Sequence, residues 1–228
     1  MTAKRNRWRV IARAYMNQLG CAAALLVGSC MMPAHAVTLD DIQQQLAEHP
    51  VVRGDFEQER KMEMFSAPLV SSGHFVLAKE YGLHWQQTQP FPVSLVLTQD
   101  KLSQSFGGAA PEVMAAEQNP MVFYFSHLFL DLFRGETAQL SEQFELTFKG
   151  SAESAVTESV GKQQWHLVLT PKTAPLNAVF TSIELEGHDF IDRLVLTEKR
   201  GDITVLSFTN QSALPNTLTK DEQRAFDF

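Results

Sequence analysis

Residues 52–64 read VRGDFEQERKMEM, and two interleaved series run through them. The even positions, Val52, Gly54, Phe56, Gln58, Arg60, Met62 and Met64, are largely apolar, while every odd position from Arg53 to Glu63 is charged. A period of two marks a strand with one wet face and one covered face. Similar alternation recurs at Phe75/Leu77, Leu83/Trp85, Val93/Leu95/Leu97, Phe144/Leu146/Phe148, Trp165/Leu167/Leu169 and Thr181/Ile183/Leu185. Further strands flank the turn Lys199-Arg200-Gly201-Asp202. So many antiparallel strands must cover their apolar face, either by stacking as a sandwich or by curling into a barrel. The expected class is α+β, mainly β.

Helical segments interrupt this pattern. Thr38 with Asp41 three residues on, followed by Leu39, Ile42 and Leu46 at helical spacing, predicts a capped amphipathic helix from Leu39 to about His49, ended by Pro50. Gly107-Gly108-Ala109-Ala110-Pro111 is read as breaking the sheet. Met121 to Phe133 then reads MVFYFSHLFLDLF, with Phe at 123, 125, 129 and 133 and only Ser126, His127 and Asp131 markedly polar. It is too short to cross a bilayer. As a helix it is apolar around most of its circumference, so something must cover it. At the tail, Thr219 and Glu222 mark the cap of a short helix after the Leu214-Pro215 loop.

The N-terminus is an address. Lys4, Arg5, Arg7, Arg9 and Arg13 precede an apolar stretch, Leu19 to Val27, and Ala34-His35-Ala36 is a small-x-small cleavage pattern. The expected division is a signal peptide at 1–36, cleaved after Ala36, and a single exported domain at 37–228. Val27-Gly28-Ser29-Cys30 offers the alternative of a lipid anchor on Cys30. Both cysteines, Cys21 and Cys30, lie in this leader. Residues 37–228 therefore cannot form an internal disulfide and must be stabilised by a packed core. The leader holds five of the 19 cations and none of the 26 acids, which leaves 14 cations after it and a net charge of −12 with His neutral. So acidic a domain is a poor binder of nucleic acid or anionic lipid surfaces.

Catalytic motifs are missing: the sequence has no Gly-x-Ser-x-Gly elbow, phosphate loop or Gly-x-Gly-x-x-Gly. No enzyme activity and no cofactor are expected. His74 and His84 could face each other across a hairpin, but no third metal ligand is in view and no metal site is expected. Asp40/Asp41 and Asp221/Glu222 sit at helix starts, where they cap. What is in excess is Phe, Met and Leu, on one sheet face and one greasy helix. That is either an ordinary core or a pocket under an apolar lid.

Several motifs resemble the periplasmic outer-membrane lipoprotein carrier (LolA-like) family. They are Phe56-x-Gln58, Gly73-x-Phe75 leading through Lys79 to Leu83-x-Trp85, Leu169-Thr170-Pro171-Lys172, Phe180-Thr181-x-Ile183, and the hairpin around Gly201. They keep the family's order from roughly Thr38 to Gln211. The resemblance implies an incomplete, strongly curved antiparallel barrel with a helical lid over an apolar cavity. It also implies a carrier that takes an acylated lipoprotein from an inner-membrane transporter to an outer-membrane receptor. Lys79 stands where the family has an Arg that latches the lid, Leu83 where it has Phe, and Glu80 where it has Pro. The tail lacks the family's extra strand and Phe-x-Phe pattern.

On this reading the cavity is lined by Phe56, Met62, Met64, Phe75, Leu77, Trp85, Leu95, Leu97 and Leu167. The lid carries Met121, Phe123, Phe125, Leu128, Phe129, Leu132 and Phe133, and Lys79 is its latch. The expected protein is a monomeric periplasmic carrier of lipoprotein or lipid. Alternatives are a carrier of a non-lipoprotein lipid working with a different inner-membrane exporter, and an envelope sensor module of the same fold. A sensor of that kind would normally continue into a second domain.

Overall fold

The computed structural model describes residues 38–118, 120–134, 140–149 and 164–228. The expected leader, with Cys30 and the expected cleavage point after Ala36, lies outside the described residues. Helix α1 (Leu39–Ala47) begins with the expected reciprocal cap. The Asp41 amide donates to Thr38 Oγ1, and the Thr38 amide donates to the Asp41 carboxylate at 2.8 Å. The helix stops two residues before His49. The Glu48 amide turns back to the Gln45 carbonyl, and Pro50 disfavours helical backbone at His49.

A meander follows: β1 (Val51–Lys61), β2 (Leu69–Ala78), β3 (Gly82–Gln89), β4 (Val93–Leu97), β5 (Lys101–Phe106) and β6 (Glu112–Ala115). A tight helical turn at Ala116–Gln118 leads into α2 (Pro120–Arg134) and α3 (Leu140–Gln143). A second meander comprises β7 (Phe144–Phe148), β8 (Trp165–Pro171), α4 (Leu176–Val179), β9 (Phe180–Gly187), β10 (Ile191–Glu198) and β11 (Ile203–Ser212), before α5 (Lys220–Phe226). The strands form one antiparallel sheet in the order β6-β5-β4-β3-β2-β1-β11-β10-β9-β8-β7. The last strand thus returns beside the first, and β6 and β7 are the open edges. The chain leaves the sheet at β6 and re-enters at β7, so α2 and α3 must bridge the gap.

Register explains the apolar face. Cross-strand partners run Leu102–Leu97–Leu83–Leu77–Val52 from β5 to β1, and Leu206–Leu194–Leu185–Leu167–Phe148 from β11 to β7. Laid flat, such a sheet would be about 50 Å wide at about 4.8 Å per strand. Yet Leu97 of β4 and Phe144 of β7 belong to one contiguous core with α1's Ile42 and Leu46. The sheet therefore curls into an incomplete antiparallel barrel with its apolar face inward.

The convex face is polar and carries the tail. Arg53 grips Glu222 of α5 through Nε at 2.6 Å and Nη2 at 2.8 Å, and donates to the Pro215 and Thr217 carbonyls. Phe226 is buried beside Tyr81 and His84. The Thr219–Glu222 cap forms as expected.

The alternation over-reads β1 at its end. Both neighbouring ladders stop by Lys61, at Lys61–Ile203 and Arg60–Leu69. Met62 and Met64 therefore fall in the β1–β2 connection, where Met64 is 80% exposed. The glycines at 107–108 do not end the sheet but turn β5 into β6. β5 escapes the pattern because polar residues fill most of it, and β6 because it is an edge strand of only four residues. His74 and His84 are not opposed either: register pairs His84 with Val76 and His74 with Gln86.

Candidate functional site

The middle of the concave face is aromatic. Phe56 of β1 stacks on Trp85 of β3 with ring centroids 3.6 Å apart. Phe75 of β2 meets Phe208 of β11 edge-on at 5.4 Å, and Trp85 meets Phe208 edge-on at 6.4 Å. Four strands thus place four rings in one group. The group is possible because Gly54, paired with Phe75, has no side chain: a Cβ there would lie 2.8 Å from the Phe75 ring.

Of the expected lining, Phe56, Phe75, Leu77, Leu97 and Leu167 are buried in the core, and Trp85 and Leu95 are half-buried against it. These side chains fill the concave face by direct packing. Met64 stands apart on the rim, and Met62 lies beside it in the same connection. Phe208 was not among the expected lining. The Thr204/Leu206/Phe208 alternation signals it, but its partnership with Phe56 appears only in the register.

Helix α2 lies against this core. Phe123 and Leu128 are buried and belong to the same apolar cluster as Phe56 and Phe75, and so does Leu130. The side chains of Met121, Phe125, Phe129, Leu132 and Phe133 lie outside the described residues. The helix packs against α1. Its polar anchors include Tyr124, whose hydroxyl donates to Gln143 Oε1 at 2.9 Å, and His127, whose Nε2 donates to the Gln99 carbonyl at 2.6 Å.

Lys79 sits in the β2–β3 turn, and its Nζ donates to the Ala47 carbonyl at the C-terminal end of α1. Its backbone amide donates to the Pro50 carbonyl at 3.0 Å. A cation at a helix C-terminus satisfies an orphan carbonyl and opposes the negative end of the helix dipole. The described bond fastens α1, which in turn packs on α2.

A cavity of about 500 Å³ opens beside α2. The helix contributes Tyr124, His127, Leu128, Asp131 and Arg134, a stripe at helical spacing. Among the described residues, Leu140 and Gln143 of α3 and Gln99 of the β4–β5 turn also line the cavity. The sequence held a sign of it in the polar residues of an otherwise greasy helix. Nothing in the sequence brought Gln99 and Gln143 to them.

A sequence model of the family described as outer membrane lipoprotein carrier protein LolA-like matches residues 31–213. No curated protein matches the chain. Among solved structures, the chain is similar to a LolA superfamily protein from Nitrosomonas europaea (12% identity, 82% of this chain and 99% of that one, TM-score 0.40). It is also similar to a putative outer membrane lipoprotein-sorting protein domain from Vibrio parahaemolyticus (8% identity, 83% and 97%, TM-score 0.42). A third similarity is to the Pseudomonas aeruginosa MucA/MucB complex (19% identity, 76% of this chain and 56% of that one, TM-score 0.44).

Proposed function

The chain belongs to the outer membrane lipoprotein carrier protein LolA-like family, and from that premise we propose that it is a periplasmic carrier that shelters acyl chains between the inner and outer membranes. The observation that carries this reading is the placement of α2. As part of the bridge between the two open edges of the sheet, it puts Phe123, Leu128 and Leu130 into the same core as the aromatic group. Moving that helix aside exposes a continuous apolar face wide enough for a chain, and returning it buries the face again.

Magnitudes favour such an exchange. Three buried side chains at about 2 kcal/mol each contribute roughly 6 kcal/mol to holding α2 down. A chain of about fifteen methylenes at about 0.8 kcal/mol each gains roughly 12 kcal/mol on leaving water. Cargo can therefore displace the helix, while the helix, by competing for the same surface, weakens the grip enough for release. Cargo shifts the population toward the open state only by its preference for that state. On this proposal no covalent bond is made or broken, and the partners are an inner-membrane transporter that loads the cargo and an outer-membrane receptor that takes it.

The tail supports a second cargo. The family match ends at residue 213, and the remaining residues form α5 on the convex face instead of adding a strand. A non-lipoprotein lipid, loaded by a different exporter, is the alternative this difference favours.

The test is a tether. Residues 37–228 contain no cysteine, so a Gln99→Cys/His127→Cys pair can be joined by a short thiol crosslinker to fix α2 to the rim. The crosslinked protein should no longer take up the neutral apolar fluorophore N-phenyl-naphthylamine, while the same variant without crosslinker should. Equal uptake in both would overturn the moving helix. Native mass spectrometry of gently purified protein should show bound lipid and identify its class.

A further inference from the structure

We propose that the cavity beside α2 is a receptor for the anionic head of the cargo, with Arg134 as the residue that recognises it. The proposal rests on the carrier reading and adds the chemistry of the cargo to it. Arg134 closes the last turn of α2 and lines the cavity. Its Nε is fully buried and meets no hydrogen-bond acceptor. A guanidinium N–H removed from water without an acceptor is costly, and a phosphate or carboxylate oxygen is the group that best matches its fork. Asp131, one turn earlier, shares the wall but does not accept from that nitrogen.

The surroundings fit a head with a chain attached. Tyr124 and Gln143 are already bonded to each other, and His127 is held on the Gln99 carbonyl, which leaves a polar wall of fixed shape. Leu128 and Leu140 line the same cavity and also belong to the apolar core. The cavity therefore sits on the seam between polar wall and apolar interior. A head group seated against Arg134 would have its first methylenes against those two leucines. A volume of about 500 Å³ accommodates a phosphate or carboxylate head with its linking atoms.

The test compares heads on one chain length. Dodecyl phosphate, dodecanoate and the neutral monododecanoylglycerol are titrated against N-phenyl-naphthylamine bound to the purified protein. At least one anionic amphiphile should displace the fluorophore at about tenfold lower concentration than the neutral one, the worth of a charge-assisted hydrogen bond. Arg134→Gln should erase that preference and leave the neutral ligand unchanged. Whichever anion is preferred tells a phosphate head from a carboxylate one. Equal displacement by all three in the wild-type protein would overturn the head site and leave the carrier standing, and this comparison needs no variant. Displacement by none of them would overturn the carrier reading and the head site with it.

Discussion

A Cβ built on Gly54 would lie 2.8 Å from the Phe75 ring and 3.0 Å from the Thr209 carbonyl oxygen. Gly54→Ala should therefore destabilise the protein by about 1–3 kcal/mol through overpacking, read as a lower urea midpoint. In a Phe75→Leu background the cost should shrink, because the ring can no longer be struck. The same cost in both backgrounds would place the strain on the Thr209 side instead. Lys79 is a residue with a described partner at the end of α1. Its ammonium holds the end of α1, so Lys79→Leu should speed hydrogen exchange in the last turn of α1 by about tenfold, the worth of one hydrogen bond to a charge. Accelerated exchange confined to α2 would make Lys79 a direct latch on that helix instead. The sequence placed this cation in its turn but could not say that it would reach the end of α1, because that depends on where α1 crosses the sheet.

Among the elements, the tail is fastened by charge. Arg53 makes two bonds to the Glu222 carboxylate and two to tail carbonyls. The hydrogen bond from Arg53 holds the Glu222 pKa down to about 2, from an ordinary 4.5. A carboxyl depressed on folding stabilises the folded state above its unfolded pKa and loses that contribution as pH falls through the folded one. The tail should therefore be fully fastened above pH 4.5 and loosen progressively toward pH 2. The effect is about 1 kcal/mol, given solvent screening of a pair near the surface. Hydrogen exchange of α5 at pH 5 and pH 3 should show the loss in the wild-type protein and not in Glu222→Gln. A wild-type tail equally protected at both values would assign the anchoring to Phe226 and its apolar contacts. Both the helix and its cap were legible in Thr219 and Glu222. The convex side it settles on was not, because Arg53 lies 169 residues away in sequence.

For the molecule as a whole, the proposed mechanism divides the chain into a fixed sheet and a cover. An acyl probe should raise hydrogen exchange across α2 while β1, β2 and β11 keep their protection, since cargo and helix compete for the same face. Loosening of the central strands together with α2 would mean that the whole fold, not a cover, opens. On the proposed mechanism the described concave face is packed because, with the helix in place, its own side chains occupy the position that cargo would take.

The period-two pattern by itself determined that this is a mainly β protein with one apolar face, and the capping residues determined where α1 and α5 begin. These are local signals, set by backbone period and by side chains within a turn of each other. The tertiary structure decided that β11 closes on β1, that β5 and β6 extend the sheet past the glycines, and that Phe208 joins Phe56, Phe75 and Trp85. It also decided that Tyr124, His127, Asp131 and Arg134 of α2 gather around one cavity with an unpaired arginine nitrogen. The physical reason is distance along the chain: pairing order, curvature and the crossing of a bridging helix are set by contacts among residues far apart in sequence, and no local pattern encodes which of them will meet.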